Sequence, residues 1–72
     1  MNARAMWNEM RWGHFSRKRW VRPCEAARYF GAPLKRAEEC LWRMARRGEV
    51  EAAPDNLDGR KTKYALVKLG GG

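Results

Sequence analysis

The stretch PCEAARYFGAPLKRAEECLWRMARRGEVE, residues 23–51, decides how this chain folds. Pro23 suits the first position of a helix, where its missing N–H is one that the first turn leaves unbonded anyway. Glu25 falls in that turn, where a carboxylate offsets the positive end of the helix dipole. Ala26 and Ala27, with Phe30 or Tyr29, supply a face to bury, and Gly31 ends the segment. Pro33 repeats the device and opens a longer helix running to Arg47. Within it Leu34, Ala37, Leu41 and Met44 recur at helical spacing, and Cys40 widens the apolar stripe. Arg46 and Arg47 are favourable near the negative helix end, and Gly48 closes it. Two helices joined through a short junction at Gly31 have the sequence form of a helix-turn-helix.

Beyond Gly48 the period changes. Glu49-Val50-Glu51-Ala52 alternates polar and apolar, as a half-buried strand does. The turn-rich residues 54–59 follow, with Asp58-Gly59 as a hairpin signal. Residues 62–69 are rich in strand formers. Tyr64 and Leu66 are expected to face the core, while Ala65, Val67 and Leu69 leave the opposite register open. In the other direction, residues 3–12 read as a helix with Ala3, Met6, Met10 and Trp7 on its apolar side, Asn2 as cap and Gly13 as stop. His14–Arg22 reads as a loop anchored by Phe15, Trp20 and Val21, with a short strand at Trp20–Arg22. Residues 1–69 are thus expected to form one domain, and Gly70–Gly72 a flexible tail.

Seventy-two residues support one small core at most. The four tryptophans, Trp7, Trp12, Trp20 and Trp42, each carry a large apolar area, so most are expected inside it. The formal charge is +8 and it is segregated. Residues 1–22 hold six bases against one acid; residues 23–47 hold six against three. In residues 48–72 all the acids precede Arg60 and the bases begin with it. Such a chain expects a polyanionic partner. No apolar run approaches the roughly 20 residues of a membrane span, and the N-terminal segment lacks the continuous apolar run of a signal peptide. A cytoplasmic, nucleoid-associated protein is therefore expected. Cys24, Cys40 and His14 do not make a four-ligand zinc site, so the thiols are expected reduced, a disulfide being the alternative, with no metal and no cofactor. No phosphate loop, paired-carboxylate site or nucleophile motif appears, which argues against an enzyme.

The element order, carried by residues 23–51 and then by DGRKTKYALV at 58–67, resembles the winged helix-turn-helix family of DNA-binding domains. Many of its regulators end a helix in Leu-x-x-Leu-x-x-x-Gly before the wing, and Leu41, Met44 and Gly48 occupy those places. A Gly-Arg pair and a later Tyr-x-Leu in the wing are matched by Gly59, Arg60, Tyr64 and Leu66. The likeness spans residues 20–67. It departs at Arg22, where a Ser or Thr usually caps the second helix, and it lacks the long flanking helix that dimeric regulators use. A homodimer or a larger complex stays open.

The resemblance implies an α+β fold, mainly α: three helices, a β-hairpin wing and a short extra strand. It makes residues 33–47 the recognition helix, with Lys35, Arg36, Glu38, Glu39, Trp42, Arg43 and Arg46 outward. Lys35, Arg36 and Glu39 are then placed to meet base edges, where Arg or Lys donates to guanine and Glu accepts from cytosine. Arg43 is better placed for phosphate. The cluster Arg17, Lys18, Arg19 and Arg22 precedes a helix N-terminus and suits backbone contact. The wing bases Arg60, Lys61 and Lys63 suit backbone or the minor groove. The plainer reading of the long helix is a solvated face tied by Lys35–Glu39 and Glu39–Arg43 pairs. Double-stranded DNA is the expected partner, of a small bacterial or phage transcriptional regulator. A protein-interaction adaptor on the same fold is the alternative, and RNA binding a third, for which only Tyr64 offers an aromatic on the hairpin.

Overall fold

The computed structural model describes residues 1–55 and 58–67, and of residues 58–61 the backbone alone. The elements follow in the order α1 (Ala3–Arg11), α2 (Pro23–Phe30), α3 (Leu34–Arg46), β1 (Val50–Asp55) and β2 (Asp58–Leu66). Three helices followed by an antiparallel hairpin give the winged-helix arrangement, α+β and mainly α. The tail at 70–72, Leu69, and Asn56 and Leu57 of the expected turn lie outside the described residues.

Each helix starts for a local reason. The Asn2 side chain accepts a hydrogen bond from the Ala5 N–H at 2.8 Å and so caps α1. At α2 the Ser or Thr cap is replaced by Arg22, and the boundary survives because the Glu25 carboxylate accepts from the Arg22 N–H at 3.1 Å. Pro33 stands just before α3 in extended backbone and not as its first helical residue. Gly31 and Gly48 carry φ of 64° and 81°, the left-handed conformation that lets the chain turn away from α2 and α3.

Met6, Met10, Phe15, Val21, Leu41, Met44, Val50 and Tyr64 form the buried cluster with Ala26, Ala27 and Ala37. Two expectations fail here. None of the four tryptophans is buried: Trp7 and Trp20 are half-buried, while Trp12 and Trp42 keep 71% and 54% of their surface exposed. The core is filled instead by smaller side chains, among them the wholly buried Met6, Leu41, Met44, Ala26 and Ala37. Leu34 was expected in the buried stripe of α3 but is 49% exposed. A helical side chain covers the turn preceding its own Cα, and as the first residue of α3 Leu34 points back past the helix start, away from the core.

The hairpin pairs Val50 with Leu66 and Ala52 with Tyr64. Tyr64 is buried and the half-buried Leu66 packs against the core, the expected facing, although Ala65 on the opposite side is buried as well. The expected alternation in β1 is seen only at Val50 and Glu51, since Ala52 is exposed as well. Asp55 pairs with Asp58 across an irregularity after Pro54, so Asp58-Gly59 opens β2 and is not the reversal itself.

Besides its core packing, two polar contacts tie this hairpin to the segment just before α2. The short strand expected at Trp20–Arg22 is a single bridge, in which Val21 and Tyr64 exchange backbone hydrogen bonds of 2.7 and 2.8 Å. Beside it Asp55, only 4% exposed, meets Arg22 through Nε at 2.7 Å and through a second guanidinium nitrogen at 3.4 Å. Arg22→Ala removes a charge-assisted contact to a buried carboxylate and is expected to cost about 1–3 kcal/mol in urea unfolding. An unchanged midpoint would show that the pair does not hold the hairpin.

Candidate nucleic-acid interface

The outward side of α3 divides into strips. Taking 100° per residue, Lys35, Glu39 and Arg46 lie opposite the buried Ala37, Leu41 and Met44. Arg36 and Arg43 flank this line on one side, and Leu34, Glu38 and Trp42 on the other. All eight of these outward side chains are exposed. Neither the Lys35–Glu39 nor the Glu39–Arg43 pair closes, although helical spacing allows both; the described ion pairs involve Lys18, Arg19, Arg22 and Arg47. Arg46 instead lies over the Trp42 ring, 5.0 Å from its centre.

The basic loop before α2 is less uniform than its sequence. Arg17 is exposed and has no ion pair among the described residues. Lys18 pairs with Glu25, Arg19 approaches Glu51 at 4.0 Å, and Arg22 is held by Asp55. Of the three wing bases, Lys63 has its ammonium 4.8 Å from the centre of the Trp20 ring, with the Arg19 guanidinium carbon 5.6 Å from the same ring. The side chains of Arg60 and Lys61 lie outside the described residues. The fold thus brings Arg19, Trp20 and Lys63 together, joining loop to hairpin, a grouping of loop and wing that the sequence reading did not make.

A second feature was missed. A groove of about 370 Å³ opens between the start of α2, the side of α3 and β2, lined by Pro23, Leu34, Glu38, Glu39, Trp42 and Tyr64 among others. Its signal was present as Leu34, Glu38 and Trp42 at four-residue spacing, a second stripe beside the buried one. Burial pushes the Tyr64 hydroxyl above its ordinary value, and the Glu38 charge adds to this.

His14 belongs to a different cluster, at the junction of α1 and α2. Its ring stacks on Tyr29 at 4.3 Å, and its backbone N–H donates to the Glu9 carboxylate at 2.9 Å. The Tyr29 hydroxyl donates to the other Glu9 oxygen at 2.8 Å. These bonds hold the Glu9 carboxyl below its ordinary value and push the Tyr29 hydroxyl up. Cys24 is exposed and Cys40 half-buried; both are free thiols, and burial raises the Cys40 thiol. Among the described residues no cluster of His, Cys, Asp or Glu is arranged to hold a metal ion, and no helix is long and apolar enough to cross a membrane. Set against protein-family models, curated proteins and solved structures, the chain matches none.

Glu25 links the basic loop to α2, and its acidity is set by opposing effects. Burial raises its carboxyl, but the Lys18 ammonium and the Arg22 N–H together hold it below the ordinary value of 4.5. A depressed carboxylate contributes stability that is complete above its unfolded pKa and lost as pH falls through the folded one. Glu25→Gln keeps an acceptor for the Arg22 N–H but removes the charge. The variant is expected to be less stable than the parent at pH 7, with the difference closing below pH 4.5. A pH series of thermal melts in which the gap persists at low pH would assign the effect to packing.

Proposed function

We propose that this chain is a sequence-specific double-stranded DNA-binding protein, a small transcriptional regulator that reads the major groove with α3. The observation that carries the reading is the unpaired charge of that helix. Lys35, Arg36, Glu39 and Arg43 are all exposed, and none is neutralised by another described side chain. Pairs on an exposed helix stabilise by only a few tenths of a kcal/mol, so their failure to close costs the fold little. It leaves donors and an acceptor available for base edges, with Lys35, Arg36 and Glu39 in the first turns of the helix. Arg43 and Arg17 contact phosphates, and Lys63 with Arg60 and Lys61 carries the wing along the backbone or into the minor groove. Arg19 joins them from beside Trp20. Lys18 and Arg22 act mainly inside the fold, holding α2 and the hairpin. The protein then works where the DNA is, on the nucleoid.

A second reading, a winged-helix adaptor for another protein, is favoured by one observation: the groove beside α3 is apolar and acidic, and phosphate gains nothing from either. Pull-downs with and without nuclease separate the two. Partners that survive digestion, with no gel shift on random duplexes, would support the adaptor.

Neutralising about five to seven phosphates predicts that log K falls with log salt at a slope of about −4.5 to −6. A titration across salt concentrations that shows no dependence would remove the DNA reading. Lys35→Ala or Arg36→Ala is expected to relax sequence preference, at about 1–3 kcal/mol for the preferred site. Arg17→Ala should weaken all sequences alike and reduce the salt slope by about one. Equal effects of the two classes on every duplex would contradict this division between bases and backbone.

A further inference from the structure

The apolar groove and the end of α1 are complementary surfaces of the same chain. The groove offers the Leu34 and Trp42 side chains, 49% and 54% exposed, with Tyr64 at its base. Glu38 and Glu39 lie along its side, and neither has an ion-pair partner among the described residues. The one described cation lining it, Arg22, is held by the buried Asp55. In a chain of charge +8 this is an acidic apolar concavity, and it fits an aromatic side chain carried beside a cation.

Such a group stands at the end of α1. Among the described residues Trp12 is the most exposed large apolar side chain, at 71%, and the Arg11 guanidinium lies over its ring at 4.6 Å. Arg11 has no ion pair among the described residues. It lines a separate cleft with Arg17, Arg19, Glu51, Ala65, Leu66 and Val67, which shares no lining residue with the groove. Neither Arg11 nor Trp12 lines the groove, and Trp12 stays exposed, so the chain does not fill its own groove in this structure.

We propose that copies of this chain associate head to tail, the Trp12 ring of one entering the Leu34–Trp42 groove of the next while Arg11 pairs with Glu38 or Glu39. The contact joins two different patches, so it does not stop at a dimer: it runs on as an open chain or closes as a ring. One indole and one ion pair bury less than the roughly 1,000 Å² of a stable interface, so the association is weak and needs protein on the order of 0.1–1 mM. Because the ion pair is solvent-facing, salt weakens it. The inference does not depend on DNA binding and is tested without DNA.

The experiment is sedimentation of the full chain over that concentration range, at low salt. The wild-type weight-average mass is expected to rise with concentration, past the dimer. Trp12→Ala and Trp42→Ala alter exposed side chains and are each expected to stay at the monomer mass. An equimolar mixture of the two is expected to rise toward the dimer and stop, because it retains one intact knob and one intact groove. A wild-type chain that stays monomeric would overturn the proposal, as would either variant assembling like wild type or a mixture no heavier than its components. If a tryptophan variant proves unfolded by circular dichroism, Arg11→Glu and Glu38→Arg replace the pair. Each alone is expected to lose association and their mixture to regain it; no recovery counts against the contact.

Discussion

The Arg22–Asp55 pair is the constraint on which the arrangement of this small protein depends. A two-stranded hairpin is marginal by itself, and here the sheet is only two strands. It is fixed where Val21 bridges Tyr64 and where the guanidinium of Arg22 reaches the buried Asp55 carboxylate. The irregularity after Pro54 falls beside Asp55, as bulges do when a strand must redirect a side chain. Arg22 is also the residue just before α2, and its backbone N–H is held by Glu25. One residue thus defines where a helix begins and where the wing attaches. Such a pair adds little net energy over apolar packing, but its geometry fixes which of several neighbouring hairpin positions is occupied.

This constraint explains which parts of the molecule were legible in its sequence. Helix limits were, because Pro23, Gly31 and Gly48 act through backbone sterics and need no tertiary knowledge. The hairpin register was, because Tyr64 and Leu66 share a face. Arg22 was read as a bare cation because its partner lies 33 positions away. The tryptophans misled for a related reason: area favours burying an indole, but the core is built of methionines, Phe15, Leu41 and alanines instead. At the interface, sequence spacing identified the outward charges of α3. It did not show whether Lys35 and Glu39 pair, since that depends on rotamers and not on periodicity. Nor did it show that Lys18 is occupied by Glu25, or that Lys63 meets Trp20 from another part of the chain.

Charge and apolar surface are sorted to different flanks of α3, and this gives one helix two recognition modes. On the proposed reading the Arg36–Arg43 flank serves phosphate at a distance, whereas the Leu34–Trp42 flank acts only in contact and is indifferent to salt apart from Glu38. Because the groove opens between α3 and β2, the two proposals meet there: a docked copy and a duplex laid across helix and wing would compete for the same space. Linkage then requires that whatever fills the groove weakens DNA binding by the factor with which DNA weakens it.

The core has a further property that follows from its composition. Met6, Met10 and Met44 are nearly inaccessible and contribute three thioethers to a single buried cluster. Unbranched thioethers adapt to irregular gaps, which suits a core closed by alanines at helix crossings. Conversion to the sulfoxide places a polar, chiral group where only apolar contact is available. While the domain is closed an oxidant does not reach these sulfurs, and each opening exposes them. Damage therefore accumulates in proportion to time spent open, and every oxidised chain opens more readily than before. The interior keeps a chemical record of its own lapses, and that record is self-reinforcing.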